Sequence, residues 1–236
     1  MKNQIDKIVK ALDGKNTREV LEYFLNDTDV KIALASSLSI EDQVLTDIMY
    51  HISDEAKVFT LDTGRLPKET YELIEKTNVK YKKNIKIYFP QAQKVESLVN
   101  EKGMFSFYNS IDERKECCYI RKIEPLKRAL KGLDIWITGL RRDQSITRED
   151  MQLLEWDEGN GLLKLNPLID WSEEDVWEHI KSKNVPYNKL HDQGYPSIGC
   201  EPCSRAVADG GDIRSGRWWW ENPEHKECGL HVKENR

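Results

Sequence analysis

The 236-residue chain is 39% hydrophobic and 33% charged, a globular balance that excludes a fibrous or disordered protein and allows a core without disulfide staples. Thirty-six Lys and Arg against 41 Asp and Glu leave a net charge of −5, which argues against coating nucleic acid or a membrane but not against a local basic pocket. No apolar run reaches the ~18 residues of a membrane span. The opening MKNQIDKIVKALDG lacks the apolar centre and cleavage site of a signal peptide, so a cytoplasmic, thiol-reducing setting is expected.

Two amphipathic helices open the chain: IDKIVKAL has apolar residues at helical spacing, and Asn16 is placed to cap REVLEYFL. KIALAS (31–36) predicts a buried strand, and EDQVLTDIMYHI a helix whose apolar positions 44, 45, 48, 49 and 52 share a face. KVFTL (57–61) predicts a second strand, after which Pro67 suits a first helical turn ahead of KETYELIEKT. NIKIYF (84–89) is a third strand, followed by a helix from about Gln91 to Lys102. CCYIRKIEPLKRAL reads as a helix interrupted or restarted at Pro125, because proline lacks the N–H and crowds the preceding turn. LDIWITG (133–139) and LLKLNPL (162–168) bring the strands to five, and SEEDVWEHIKSK (172–183) is a helix capped by Ser172.

Strands alternating with helices predict an α/β fold: βαβ units, a parallel sheet and helices on both faces. Ligands in such sheets bind at the carboxyl ends of the strands where strand order reverses, so the loops after Ala35, Leu61 and Thr138 matter most. Residues 1–205 read as one domain. Residues 206–236, Gly-rich, charged and non-periodic, read as a C-terminal segment laid over it or left mobile.

Ser36, Ser37 and Ser39 lie between the first strand and a helix N-terminus, where hydroxyls and backbone N–H groups either cradle an anion or close an ordinary capped turn. The loop matches neither G-x-x-x-x-G-K-[ST] nor G-x-G-x-x-G. LDTGR adds Gly64 for a tight turn and Arg65 as an anion partner. TGLRRDQSITRED sets Arg141, Arg142 and Arg148 behind Gly139. A solvated charged face is the plainer account of such a run, but its strand-end position favours anion binding.

The five cysteines fall as Cys117-Cys118, Cys200-x-x-Cys203 and a lone Cys228. Four clustered thiols and an outlier in a reducing setting suggest a metal site and a separate thiol. Vicinal cysteines converge poorly on one zinc ion, whereas an iron–sulfur cube offers each a different iron, so iron–sulfur ranks ahead of zinc. Lys122, four residues after Cys118, shares its face on a helix and would bring an ammonium to the sulfurs or to an anion beside them; a plain surface lysine has the same spacing. Cys228, in HKECGLH, is a reachable nucleophile whose thiolate Arg214 and Arg217 would favour, although lone cysteines are most often inert. Trp218–Trp220 either anchor the tail or offer a docking surface for a partner protein.

Together, Cys117-Cys118 with C-x-x-C, SSLSIED, LDTGR, TGLRRDQS and the terminal ECGLH resemble the assimilatory adenylyl-sulfate reductases, from about Lys31 to His231. The resemblance implies a three-layer PP-loop-type nucleotide-binding α/β domain over 1–205 and an active-site tail over 206–236. Its implied substrate is adenosine 5′-phosphosulfate (APS), and its implied cofactor a [4Fe–4S] cluster on Cys117, Cys118, Cys200 and Cys203. Cys228 would attack the sulfuryl sulfur and expel AMP. Thioredoxin, or glutaredoxin in its place, would then release sulfite from the S-sulfocysteine. Lys122, Arg214, Arg217 and His231 match phosphosulfate-binding positions. Ser36, Ser37 and Ser39 fall in the modified phosphate loop, and Leu61, Gly139 and Arg148 match the adenosine pocket.

Three alternatives differ in chemistry. The 3′-phosphorylated substrate (PAPS), alone or with APS, belongs to relatives that usually lack the cluster cysteines. A PP-loop ATP-using enzyme would want an SGGxDS-like loop, which SSLSIED is not. A non-enzymatic iron–sulfur redox sensor has no use for LDTGR and TGLRRDQS together. No nucleic-acid or membrane partner is expected, and a homo-oligomer is compatible with the sequence.

Overall fold

Local sequence rules account for the first elements of the computed structural model, which describes residues 2–144, 150–208 and 210–222. Helices α1 (Ile5–Leu12) and α2 (Thr17–Leu25) form where the apolar spacing places them. Asn16 closes a capping box on α2: its side chain accepts the Glu19 N–H at 3.1 Å, and the Glu19 carboxylate accepts the Asn16 N–H at 2.8 Å. The chain continues through β1 (Ile32–Ser36), α3 (Ile40–Ile52), β2 (Val58–Leu61), α4 (Lys68–Tyr81), β3 (Lys86–Tyr88) and α5 (Ala92–Lys102). Then come α6 (Ile111–Cys118), α7 (Glu124–Leu130), β4 (Ile135–Ile137), β5 (Leu154–Asp157), β6 (Leu162–Leu165) and α8 (Glu173–Ser182).

The strands form one sheet in the order β3-β2-β1-β4-β6-β5. β1 pairs in parallel with both β2 and β4, and β4 in parallel with β6. The strand order therefore reverses between β1 and β4, the place where a doubly wound sheet opens a crevice. β5 departs from the expected pattern: it is a sixth strand, antiparallel to β6, with Leu154 opposite Leu165 and Asp157 opposite Leu162. It is a short, half-buried edge strand closed by a tight turn, in which Asn160 bonds the Asp157 carboxylate and Gly161 takes a positive φ of 71°.

The interruption expected at Pro125 divides residues 117–130 between two helices. α6 begins earlier, capped by Ser110, whose hydroxyl accepts the Glu113 N–H. Between α6 and α7 the chain widens into a π turn at Tyr119–Ile123, where the Glu124 N–H reaches back to the Tyr119 carbonyl. Pro125 explains it: in a regular helix its ring would press on the carbonyl of Arg121, so the ladder opens just before it.

The chain divides into two compact units. One comprises Met1–Thr60, Leu73–Lys86 and Leu130–Asn188; the other Leu61–Glu72, Ile87–Ala129 and Lys189–Arg236. The first holds the main core, in which Leu34, Val44, Ile135 and Leu163 are wholly buried, each worth about 1.5–3 kcal/mol. The second holds a smaller core of Leu98, Phe107, Cys117, Cys118, Cys200, Cys203 and Trp218. Among the described residues no helix is long and apolar enough to cross a membrane.

Candidate active site

In the first unit the parallel register of Leu34 with Ile137 sets the ends of β1 and β4 side by side, so Ser36 and Gly139 are neighbours. Ser39 caps α3, accepting the Asp42 N–H at 3.4 Å, and the Ser36 hydroxyl accepts the Leu38 N–H at 3.1 Å. Leu38 is held at φ 64°, a left-handed conformation unusual for a branched apolar residue. Ser37 donates both its N–H (2.6 Å) and its hydroxyl (2.7 Å) to the Asp42 carboxylate. That carboxyl is buried, and burial pushes its pKa up to about 6 although the bonds from Ser37 oppose the shift. Gly139 is required by close packing, since a Cβ there would strike the Asp42 carboxylate and come within 2.9 Å of the Glu41 Cβ. The loop thus pairs a capped turn with a set of donors that already hold one carboxylate.

The guanidiniums of the β4 loop are used differently from expectation. Arg141 is buried and paired with Glu41 (Nη2 to Oε1 3.0 Å, Nε 3.1 Å), and it also donates to the Trp171 carbonyl. Arg142 pairs with Asp170 and donates to the Met151 carbonyl. Both neutralise carboxylates within the fold rather than await an anion. Arg148 lies outside the described residues, as do Cys228 and His231.

The second unit gathers the four clustered cysteines. Cys117 and Cys118 end α6, while Cys200 precedes and Cys203 ends a 3-10 turn whose Glu201 N–H is held by the Arg65 carbonyl at 2.8 Å. All four are buried free thiols, and they line one cavity with Arg65, Phe107, Arg114, Arg121 and Lys122. The Cys200 thiol donates to the Thr63 hydroxyl at 3.2 Å, and Arg121 donates to the Thr63 carbonyl at 2.6 Å. Arg114 forks onto Glu221 with two bonds of 2.9 and 2.8 Å, both side chains almost fully buried. Burial pushes the Cys203 thiol up to about 12, with Cys200 adding to the shift and Arg217 and Lys122 opposing it. Burial raises Cys117 too, against Arg121 and Arg65.

Four buried thiols that line one cavity walled by four cations, Cys117 and Cys203 among them held protonated by burial, suit a group that takes thiolates and carries negative charge. Buried donors of two lining residues left without a protein partner fit the same conclusion: Arg65 Nη1 and Arg121 Nε. Among the described residues no three His, Cys, Asp or Glu side chains are arranged to hold a metal ion.

The last described segment returns to this core. Arg217 bridges to Ser204, and its guanidinium occupies the space a side chain would fill at Gly199, which explains the glycine before Cys200. Arg214 and Arg217 lie 5.9 and 4.9 Å from the ring centre of the buried Trp218. Trp218 is thus an anchor, while Trp219 is 42% exposed. Leu61 ends β2, and Lys122 stands in the π turn, lining the same cavity as Cys118.

Sequence reasoning missed Arg114, Arg121 and Glu221. The signal for Arg114 was present, since it stands three and four residues before the cysteine pair on one helix. Nothing local links it to Glu221, 107 residues away.

A model of the phosphoadenosine phosphosulfate reductase domain matches residues 31–206. An adenosine 5′-phosphosulfate reductase from Allochromatium vinosum is 52% identical over 216 residues, covering 92% of this chain and 84% of its own. One from Neisseria meningitidis is 51% identical over 198 residues, covering 84% of this chain and 80% of its own. Among solved structures, the phosphoadenylyl-sulfate (PAPS) reductase of Candida auris in a phosphate complex aligns with a TM-score of 0.74 at 26% identity, over 88% of this chain and 98% of that one. With three quarters of its length matched and half its residues shared with such relatives, this chain belongs to the phosphoadenosine phosphosulfate reductase domain family.

Proposed function

We propose that the protein reduces adenosine 5′-phosphosulfate to sulfite and AMP in sulfate assimilation, in the cytoplasm, with thioredoxin as reductant. The observation that carries this reading is the cavity of four buried thiols and four cations in a chain half identical to proteins named adenosine 5′-phosphosulfate reductases. Residues 206–236 are the segment that brings the nucleophile. The Cys228 thiolate attacks the sulfuryl sulfur, an S–S bond forms, and the sulfur–oxygen bond to AMP breaks with its electron pair leaving on the phosphate. A thioredoxin thiolate then attacks Cys228 Sγ, sulfite departs with the electron pair, and the second thioredoxin thiol resolves the mixed disulfide. The dithiol supplies both electrons.

Lys122, Arg214 and Arg217 meet the charge of the phosphosulfate, with His231 beside them, so that AMP leaves against fixed cations. Ser36, Ser37, Ser39 and Gly139 hold the nucleotide from the β1 and β4 ends, with Leu61 and Arg148 completing the adenosine pocket. Cys117, Cys118, Cys200 and Cys203 are the residues that would hold a [4Fe–4S] cluster, which when bound supplies fixed charge and a covalent cross-link beside Lys122. Reduction of PAPS is the second reading, favoured by the likeness to the Candida auris enzyme.

The test is direct. Incubated with APS and no reductant, the wild type should carry a sulfonate on Cys228 by mass spectrometry. Cys228→Ser should bind nucleotide and release no sulfite. Sulfite release by that variant would refute the mechanism, and a large kinetic preference for PAPS would replace the substrate.

A further inference from the structure

Phe107 closes one wall of the cysteine cavity, and the residues around it turn outward. Met104 is 60% exposed, Phe105 64%, Tyr108 38% and Trp219 42%, four large apolar side chains in one unit. The three rings are continuous: Phe105 stacks on Tyr108 with centroids 6.3 Å apart, and Tyr108 lies 6.4 Å from Trp219. The face is also held still. The Tyr108 hydroxyl donates to the Pro202 carbonyl at 2.9 Å, inside the Cys200-x-x-Cys203 turn, and Arg65 donates to the Met104 carbonyl at 2.5 Å. The Arg205 guanidinium lies 4.8 Å from the ring centre of Trp219. Rigid exposed aromatics edged by arginine are the composition of interface hot spots, and a patch of this kind seldom faces only water.

We propose that this face is the docking surface for the dithiol protein reductant, an inference that rests on the reading of Cys228 above. The chain itself argues for that occupant. Trp219 belongs to the segment that ends, among the described residues, at Asn222, and Glu221 is pinned by Arg114. Cys228 follows Glu221 by seven residues, a tether of at most ~25 Å. A reductant seated on the platform therefore meets Cys228 without the tail leaving its anchor, at a high effective concentration. The partner thiolate attacks Cys228 Sγ, the new S–S bond replaces the bond to the sulfonate sulfur, and sulfite leaves with the electron pair. The partner's second thiol then displaces Cys228 as thiolate, so the two electrons come from the partner alone. The platform demands a partner with an apolar surface around its dithiol.

The experiment compares wild type with Phe105→Ser/Trp219→Ser and, separately, with Phe105→Glu. The expected result is a tenfold or greater rise in KM for thioredoxin. KM for APS, sulfonate formation on Cys228 without reductant, and sulfite release from that adduct by dithiothreitol should all stay within twofold of wild type. An unchanged KM for thioredoxin overturns the proposal. A fall in solution mass by light scattering, with that KM unchanged, shows that a second copy covers the face instead. Altered adduct formation or dithiothreitol release shows that the tail itself covers it. If the wild type forms no adduct on Cys228, the underlying reading fails, and the docking proposal fails with it.

Discussion

Asp42 and Asp47 stand on one helix, both buried, and answer pH in opposite senses. Burial lifts Asp42 from 3.8 to about 6 because its bonds from Ser37 and Ser39 do not repay the loss of water. A carboxyl with a raised folded-state pKa favours folding only while protonated, so its contribution is full below pH ~4 and lost as the pH climbs through ~6. The loss amounts to on the order of 3 kcal/mol at neutral pH. Asp47 also suffers burial, but hydrogen bonds from His179 at 2.9 Å and Tyr81 at 2.6 Å hold it below its ordinary value. Its stabilisation is present above pH ~4 and disappears as the pH falls through the lowered value. Asp42→Asn should therefore unfold at higher urea than wild type at pH 7, with the difference much reduced at pH 4.5. Equal midpoint differences at both values would show that Asp42 is ordinary. Ser36, Ser37 and Ser39 were legible as a loop that could hold an anion, but the carboxylate already in contact with Ser37 was not, because no sequence pattern shows which way a side chain turns.

At the level of elements, the α6 helix and the segment at Trp218 are joined by the Arg114–Glu221 pair, whose side chains are 1% and 4% exposed. A buried pair is weak evidence of net stabilisation, yet removing one member strands a charge at a cost of about 3–5 kcal/mol. Arg114→Met and Glu221→Gln should each lower the unfolding free energy by that order, while the double variant recovers part of it. Denaturant melts of the four proteins form the cycle, and strict additivity would show that the two residues act independently. The helices were readable from periodicity and caps, as with Asn16, Ser39 and Ser172, since these are local signals. β5 was not readable, because four residues on an edge, one buried and three half-buried, obtain their pairing from β6 rather than from their own pattern. The roles of Arg141 and Arg142 were misjudged for a related reason: their carboxylates, Glu41 and Asp170, lie distant in sequence.

For the whole molecule, the alternation of strands and helices was enough to foresee a parallel sheet, which β5 alone departs from, and the loops at its carboxyl edge. The division into two units was beyond it, because the second unit is assembled from three stretches, Leu61–Glu72, Ile87–Ala129 and Lys189–Arg236. Its small core is built around the four cysteines. If these hold a cluster, that unit depends on it as the sheet unit does not. Preparation with iron and sulfide should yield brown protein. Removing the iron by chelation should then accelerate amide exchange over 92–129 and 189–222 while leaving β1, β4 and β6 protected. Equal deprotection of both units would refute that dependence.

The π turn between Cys118 and Pro125 carries a consequence for how the chain can change length. A widened turn holds one residue more than a regular helix over the same rise, so all that follows is rotated by about 100° from where an unbroken helix would set it. Lys122 lies inside this offset, with the cysteine pair ahead of it and α7 behind. Deleting one residue from Tyr119–Ile123 would keep α7 in phase with α6, yet close the turn and press the Pro125 ring onto the carbonyl four residues before it. Substitution at the exposed Tyr119 changes one surface side chain, whereas one more residue would rotate every group beyond it by about 100°. In this stretch residue count is more tightly constrained than residue identity, and an insertion or deletion is the more damaging lesion even where each new side chain is harmless.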